Sequence, residues 1–312
     1  MAADVFPLSG KRVYVAGHSG LVGAALCRRL EAEGCTLITP ARADLDLTRQ
    51  DAVERFLARH APDAVVVAAA RVGGIGANMA APADFIRDNL AIAGNLIHGA
   101  HITGVHRLLF LGSSCMYPRG AAQPMAESAL LSGPPEPTNA PYALAKLAGA
   151  QMVAAYRAQH GRAYITAIPC NLYGPGDRFD EAAGHVIPAL MARARRLAAA
   201  GEKTLPIWGT GAALREFLHA DDLARALALL LARYDDEPPV NVGSCGQEVT
   251  IAWLAEHIAD LAGLTPAFDA TRPDGAPRKV VDCARIRALG WAPRIPLEDG
   301  LAQTWDWFTG HP

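Results

Sequence analysis

The segment Gly17-His18-Ser19-Gly20-Leu21-Val22-Gly23 constrains this chain more than any other, because of what flanks it. Ahead of it, Arg12–Ala16 is short and largely apolar and reads as a strand; behind it, residues 21–33 place Leu21, Ala25 and Leu30 on one side of a helix. Three glycines between a strand and a helix let the backbone turn tightly and approach whatever sits at the helix N-terminus, where unpaired N–H groups favour an anion. In that context the triplet reads as the opening of a βαβ unit that holds a phosphate-bearing ligand.

The chain continues in the same rhythm. A strand is expected at 36–39, a helix at 51–59, and residues 64–69 form a continuous apolar run of the kind a strand covered on both faces carries. A long helix over 84–102 leads to a strand at Arg107–Leu111, and a helix over 142–160 to a strand at 164–168. This alternation predicts an α/β fold with a doubly wound parallel sheet of Rossmann type. Beyond Pro169 the rhythm loosens, with Pro and Gly clustered between 171 and 184 and between 266 and 277. Helices near 222–233 and at Ile251–Ala262 flank a strand at Val240–Val242. We expect a dinucleotide-binding domain over 1–170, rejoined by segments at about 217–245, and a smaller α/β substrate-binding lobe from 171–216 and 246–312.

Composition narrows the function classes. The 312 residues are 51% hydrophobic, enough to bury a sizeable core. Net charge is -2 with the signs interspersed, which argues against nucleic acid as a partner; the one dense basic stretch, Arg193, Arg195 and Arg196, reads as the solvated face of a predicted helix. Six cysteines form no CxxC pair and none sits near histidines at metal-ligand spacing, so free thiols in a reducing cytoplasm and no metal are expected. Residues 1–10 lack a charged leader followed by an apolar run, and no apolar stretch approaches the roughly 20 residues of a membrane span.

The end of the second strand indicates which dinucleotide. NAD-binding versions carry an acid there; this chain has Thr39-Pro40-Ala41-Arg42, and a guanidinium suits a 2′-phosphate. Arg42 therefore points to NADP, with Asp44 and Asp46 near enough to compete for it. Tyr142 and Lys146, four apart on a helix, share a face, where a lysine can ease proton exchange between the phenol and a substrate oxygen. Leu111-Gly112-Ser113-Ser114 ends the preceding strand, the edge where open parallel sheets place their sites, so Ser113 can share that oxygen with Tyr142.

A glycine triplet, a strand-end serine and a later Tyr-x-x-x-Lys resemble the extended short-chain dehydrogenase/reductase family. Ser113-Ser114-Cys115-Met116-Tyr117-Pro118 and Gly184-His185-Val186-Ile187-Pro188 are similar to segments of its GDP-L-fucose synthase branch, as are Ala70-Arg71-Val72-Gly73-Gly74, Gln123-Pro124-Met125, Glu136-Pro137-Thr138-Asn139, Arg215-Glu216-Phe217 and Pro273-Asp274-Gly275-Ala276-Pro277-Arg278-Lys279. The resemblance implies a GDP-linked 4-keto-6-deoxy sugar as substrate, epimerised at carbons 3 and 5 and reduced at carbon 4. It implies Cys115 as the base and His185 as the acid of epimerisation, beside Ser113, Tyr142 and Lys146. NADP contacts are implied at Gly17, Ser19, Gly20, Leu21, Val22, Gly23, Arg42, Leu111, Gly112, Ser114, Lys146, Pro169, Asn171, Leu172 and His185, and GDP-sugar contacts at Asn171, Arg193, Trp208, Arg215 and Lys279. It further implies a homodimer through the helices at 84–102 and 142–160. The chain departs from the family at Ser19, where an arginine is frequent, and at Cys170, where a threonine is common. A GDP-6-deoxy-heptose substrate, a reductase without epimerisation, and a non-catalytic dinucleotide sensor are the rival readings; a sensor would be expected to lack Ser113, Tyr142 or Lys146.

Overall fold

The computed structural model describes residues 4–182, 184–272 and 274–311. Pro273 of the segment ending at Lys279, and the first three residues of the 1–10 stretch, lie outside the described residues. The first half of the chain runs β1 (Arg12–Ala16), α1 (Leu21–Ala32), β2 (Thr36–Ile38), α2 (Gln50–His60), β3 (Ala64–Val67), α3 (Ile75–Ala80), α4 (Pro82–Ile102), β4 (Arg107–Leu111), α5 (Ala140–His160) and β5 (Ala163–Pro169). The second half runs β6 (Asn171–Tyr173), α6 (Val186–Ala199), β7 (Thr204–Trp208), β8 (Leu214–His219), α7 (Ala220–Arg233), β9 (Val240–Val242), β10 (Glu248–Thr250), α8 (Ile251–Ala262), β11 (Thr265–Asp269), β12 (Arg278–Lys279), α9 (Ala284–Ala288) and α10 (Leu297–Gly310).

The expected doubly wound sheet forms, with six strands in the order β2-β1-β3-β4-β5-β9, all pairs parallel. Every residue of β3, β4 and β5 is buried, as helices on both faces require. The apolar run at 64–69 leaves the sheet after Val67, and Ala69 turns in against Gly17, where a side chain on the glycine would have its Cβ 2.7 Å from the Ala69 nitrogen. β9 returns from beyond residue 230 to pair with the end of β5, Pro169 opposite Val242.

A second apolar core gathers Tyr173, Ile187, Met191, Leu205, Phe217, Leu254, Ile258 and Leu301. Around it β8 pairs with β10, β12 and β6, and β7 with β11. Residues 281–291 return to the first core through Val281, Cys283, Ile286 and Trp291. Buried Glu216 on β8 ties the second sheet to the first body: one oxygen accepts the Ser244 N–H and hydroxyl at 2.9 and 3.0 Å, the other the Val281 N–H at 2.6 Å. Among the described residues no helix is long and apolar enough to cross a membrane, and no cluster of ligands suits a metal ion.

Candidate active site

Strand order reverses between β2 and β3 on either side of β1, which opens a crevice at the carboxyl ends of β1 and β3. Gly17 follows β1 at φ +89°, a left-handed conformation that suits glycine. Gly23 carries the contact between α1 and the turn, since a Cβ there would fall 2.0 Å from the Gly17 carbonyl oxygen. Gly20 differs. It is exposed, a Cβ on it would meet only the Gly17 oxygen at 3.6 Å, and it caps α1 without any side-chain bond. Leu21, Val22 and Gly23 precede the first helical bond, from the Ala24 N–H to the Gly20 carbonyl at 2.8 Å, and no acidic residue occupies that turn. An open, uncapped helix N-terminus beside an exposed glycine and exposed Ser19 fits a pyrophosphate. Arg42 lies exposed beyond the end of β2, the neighbour of β1. Its competitor Asp46 is engaged elsewhere: hydrogen bonds from the Thr48 hydroxyl and N–H (2.7 and 2.9 Å) hold that carboxyl below its usual range, Arg49 and Arg42 adding smaller shares.

The candidate catalytic groups gather at the end of β4. Gly112 follows Leu111 and donates its N–H to the Ala167 carbonyl of β5 at 2.8 Å; a Cβ there would sit 2.9 Å from the Met116 sulfur. Ser113 then caps a single 3-10 turn, Ser114–Met116, with its Oγ accepting the Cys115 N–H at 3.3 Å; Ser114 is buried beneath it. Helix α5 can lie flat on β4 because Gly149 faces Phe110, where a Cβ would come 2.4 Å from the ring. That seating brings Tyr142 and Lys146 over the strand end. Lys146 is buried and donates from Nζ to the Leu111 carbonyl at 2.7 Å, with its nitrogen 5.9 Å from the Tyr142 ring centre; burial pushes its proton affinity down to about 7. Burial pushes the Tyr142 phenol up, proximity to Cys115 adds to the rise, and a hydrogen bond with Ser113 opposes it. Ser113, Cys115 and Tyr142 therefore surround one point.

Two donors reach the Cys115 sulfur: Asn139 Nδ2 at 3.1 Å and Lys279 Nζ at 3.8 Å. Asn139 stands at the N-cap of α5, yet its side chain makes no capping bond, and its buried Oδ1 has no hydrogen-bond partner among the described residues.

A cleft is lined in part by Gly74, Asn171, Leu172, His185 and Arg215, the last standing opposite Lys279 in the pairing of β8 with β12. Pro169 closes β5 just before it, and Asn171 opens β6 and donates to the Glu216 carbonyl at 3.3 Å. His185 is exposed at the N-cap of α6 and makes no capping bond. Close to it lies Asp177, whose carboxyl burial pushes up while the Arg178 N–H and the His185 charge pull back; its Oδ2 has no partner among the described residues. Arg215 donates to the carbonyls of Leu214 and Ala276 at 2.8 and 2.7 Å. Arg193 and Trp208 do not line this cleft: Arg193 donates to the Pro206 carbonyl of β7 and faces Glu181, and Trp208, 65% exposed at the end of β7, carries the Arg272 guanidinium 5.1 Å from its ring centre. Lys279 is at the thiol. Sequence reasoning gave no role to Asn139 or Asp177; the one available signal was an asparagine three residues ahead of the site tyrosine.

Residues 13–243 match the NAD dependent epimerase/dehydratase family. GDP-L-fucose synthase 1 of Arabidopsis thaliana is 50% identical, over 99% of this chain and 97% of its own length. Among solved structures, a GDP-L-fucose synthetase from Naegleria fowleri bound to NADP superposes with a TM-score of 0.91 at 26% identity, over 99% of this chain and 97% of that one. A GDP-6-OMe-4-keto-L-xylo-heptose reductase from C. jejuni superposes with a TM-score of 0.89 at 31% identity, over 97% and 99%.

Proposed function

Because the chain belongs to the NAD dependent epimerase/dehydratase family, and within it to the GDP-L-fucose synthases, we propose that it epimerises carbons 3 and 5 and reduces the 4-keto group of a GDP-4-keto-6-deoxy sugar, with NADPH. The observation that carries this reading is the convergence of the Cys115 thiol with Ser113 and Tyr142. Ketone reduction in this scaffold calls for the serine, the tyrosine and Lys146; a thiol flanked by two donors has no part in it.

The ketone acidifies the hydrogens on both neighbouring carbons. Cys115, as thiolate, takes one of them: the C–H bond breaks, an S–H bond forms, and the electron pair moves onto the ketone oxygen. Ser113 and Tyr142 donate hydrogen bonds to that oxygen, where the charge develops. His185, on the cleft, returns a proton to the opposite face. NADPH, when bound, supplies the hydride that carbon 4 accepts. Tyr142 gives the proton to the oxygen, and Lys146 is fixed beneath it by the Leu111 carbonyl.

Gly17, Ser19, Gly20, Leu21, Val22 and Gly23 would cradle the pyrophosphate and Arg42 the 2′-phosphate, with Leu111, Gly112, Ser114, Pro169, Asn171 and Leu172 along the rest of the dinucleotide. Arg215 and Asn171 would hold the diphosphate end of the sugar nucleotide, and Arg193 and Trp208 its outer part. The two cores favour a division into a dinucleotide-binding domain and a substrate lobe, with residues 281–291, expected in the lobe, packing in the first core and Phe217 in the second. The exposed Leu90 and Ile102 of α4 and Leu144 of α5 support a homodimer joined through these helices.

Deuterium oxide tests the chemistry. Without NADPH, wild-type protein should wash deuterium into carbons 3 and 5 of a GDP-4-keto-6-deoxy sugar, and Cys115→Ser should abolish the exchange while still oxidising NADPH. Reduction by the wild type with no deuterium incorporated would make the protein a plain 4-ketoreductase. Hexose and heptose substrates run side by side decide the sugar size, which the likeness to a heptose reductase makes worth measuring.

A further inference from the structure

We infer that Lys279 serves the Cys115 sulfur, holding it as the thiolate together with Asn139, and that it is not a contact to the nucleotide diphosphate. The inference rests on reading Cys115 as the base of epimerisation.

The cysteines themselves supply the first argument. Cys35, Cys170 and Cys283 each pass their S–H to a backbone carbonyl, those of Leu8, Asn171 and Val281, while Cys245 reaches the Gly243 carbonyl and also meets the Arg287 guanidinium. Cys115 has the reverse surroundings among the described residues: its sulfur accepts from Asn139 Nδ2 at 3.1 Å and from Lys279 Nζ at 3.8 Å. Two donors, one of them an ammonium, suit S⁻ better than S–H. Tyr142 is a second titratable group beside it, and burial keeps that phenol protonated.

The approach of Lys279 is built. Val280, next in the chain, donates its N–H to Gln123 Oε1 at 2.8 Å and accepts the Met125 N–H at 2.8 Å, and Val281 donates to the buried Glu216. Lys279 itself stands opposite Arg215 in the parallel pairing of β12 with β8. With its backbone pinned on both sides, the lysine has a fixed root, while its neighbour Arg278 is committed to Glu248 through bonds of 2.7 and 2.6 Å. Asn139 repeats the pattern from the other side: an N-cap residue type that leaves the helix end uncapped and gives its amide to the sulfur.

Alkylation of the apoprotein by iodoacetamide reads this directly, because the thiolate forms the S–C bond as iodide leaves and the thiol proton passes to solvent. Mass spectrometry of the Cys115 peptide separates it from the other five cysteines. At neutral pH, Lys279→Met should slow alkylation of Cys115 by about tenfold or more, as loss of a charge-assisted partner implies. Lys279→Arg should recover to within about threefold of wild type, and calorimetry should find GDP affinity in both variants within about threefold of wild type. Should Lys279→Met fail to fold, Lys279→Gln keeps length and a donor without the charge, and is expected to slow alkylation in the same way. Unchanged alkylation in a folded variant, or unchanged alkylation with GDP affinity down about tenfold as for a lost diphosphate contact, overturns the inference. Neither measurement needs the keto sugar, so this failure leaves the epimerase reading standing. Conversely, deuterium exchange that survives in Cys115→Ser removes the base and leaves the alkylation result intact.

Discussion

Burial of the Lys146 ammonium, 5% exposed on α5, pushes its proton affinity from the ordinary 10.5 down to about 7. Below about pH 7 the folded and unfolded chains both carry the proton, and the fold bears the full cost of a buried cation. Between about 7 and 10.5 the unfolded chain still binds a proton that the native state has released, so wild-type stability gains with rising pH. Each unit is worth about 1.4 kcal/mol, so at about pH 6 the buried charge costs on the order of 5 kcal/mol. Lys146→Met removes that cost and leaves the Leu111 carbonyl without its donor, a loss of about 1–3 kcal/mol. The variant should therefore be more stable than wild type by about 2–4 kcal/mol at pH 6, and less stable by about 1 kcal/mol at pH 10. Urea unfolding of both apoproteins across this range, taken as a difference, cancels every other titrating group. The same substitution should cost the reduction about 10²–10⁴-fold. A stability difference flat with pH would mean that the lysine titrates at its ordinary value, and the argument from burial would be wrong.

Three further outcomes follow from the geometry. Arg42→Ala should raise the KM for NADPH about tenfold or more with little effect on NADH, from loss of a charge-assisted contact of about 1.5–3 kcal/mol; equal loss for both cofactors would show that the guanidinium does not read the 2′-phosphate. Gly149→Ala would gain about 1 kcal/mol in an exposed helix, but here its Cβ would strike the Phe110 ring, so a net loss of about 1–3 kcal/mol in urea unfolding is expected, and a gain would show that α5 can lift from β4 at little cost. Light scattering at micromolar concentration should give a dimer, and Leu144→Glu on the exposed face of α5 should shift it to monomer; a monomeric wild type refutes the pairing of these helices.

The first half of the fold was legible because its signals are local and long. The strands Arg12–Ala16 and Arg107–Leu111 form as read, and the helices keep their periodic apolar faces with bounds shifted by a residue or two. In the second half β6, β10 and β12 are two or three residues long, too short for a period of two to register. β7 does alternate, with Leu205 and Ile207 buried between exposed neighbours, but Pro206 in its middle hides it; the proline is tolerated because β7 pairs with β11 alone. Of the site, Tyr142 and Lys146 could be paired from their spacing, since a helix brings i and i+4 together whatever the rest of the chain does.

The surroundings of Cys115 could not be read this way. Its donors come from 24 and 164 residues away, a distance over which no periodicity speaks, and only the family resemblance gave Lys279 a place, among the GDP-sugar contacts. Asn139 shows why residue type is a poor guide at such positions. An asparagine just before a proline-started helix is a sufficient N-cap signal, and on stability grounds its amide belongs on the backbone of α5, at a value of about 1 kcal/mol. The fold instead leaves that helix end uncapped, buries Oδ1 without a partner and turns Nδ2 toward a sulfur. Two stabilising options are forgone at one residue, and what the arrangement secures is a donor on the atom that carries negative charge in the proposed epimerisation. A local rule broken with a non-local beneficiary is how a site of this kind is distinguished from packing, and it becomes visible only when residues 115, 139 and 279 are brought to one place.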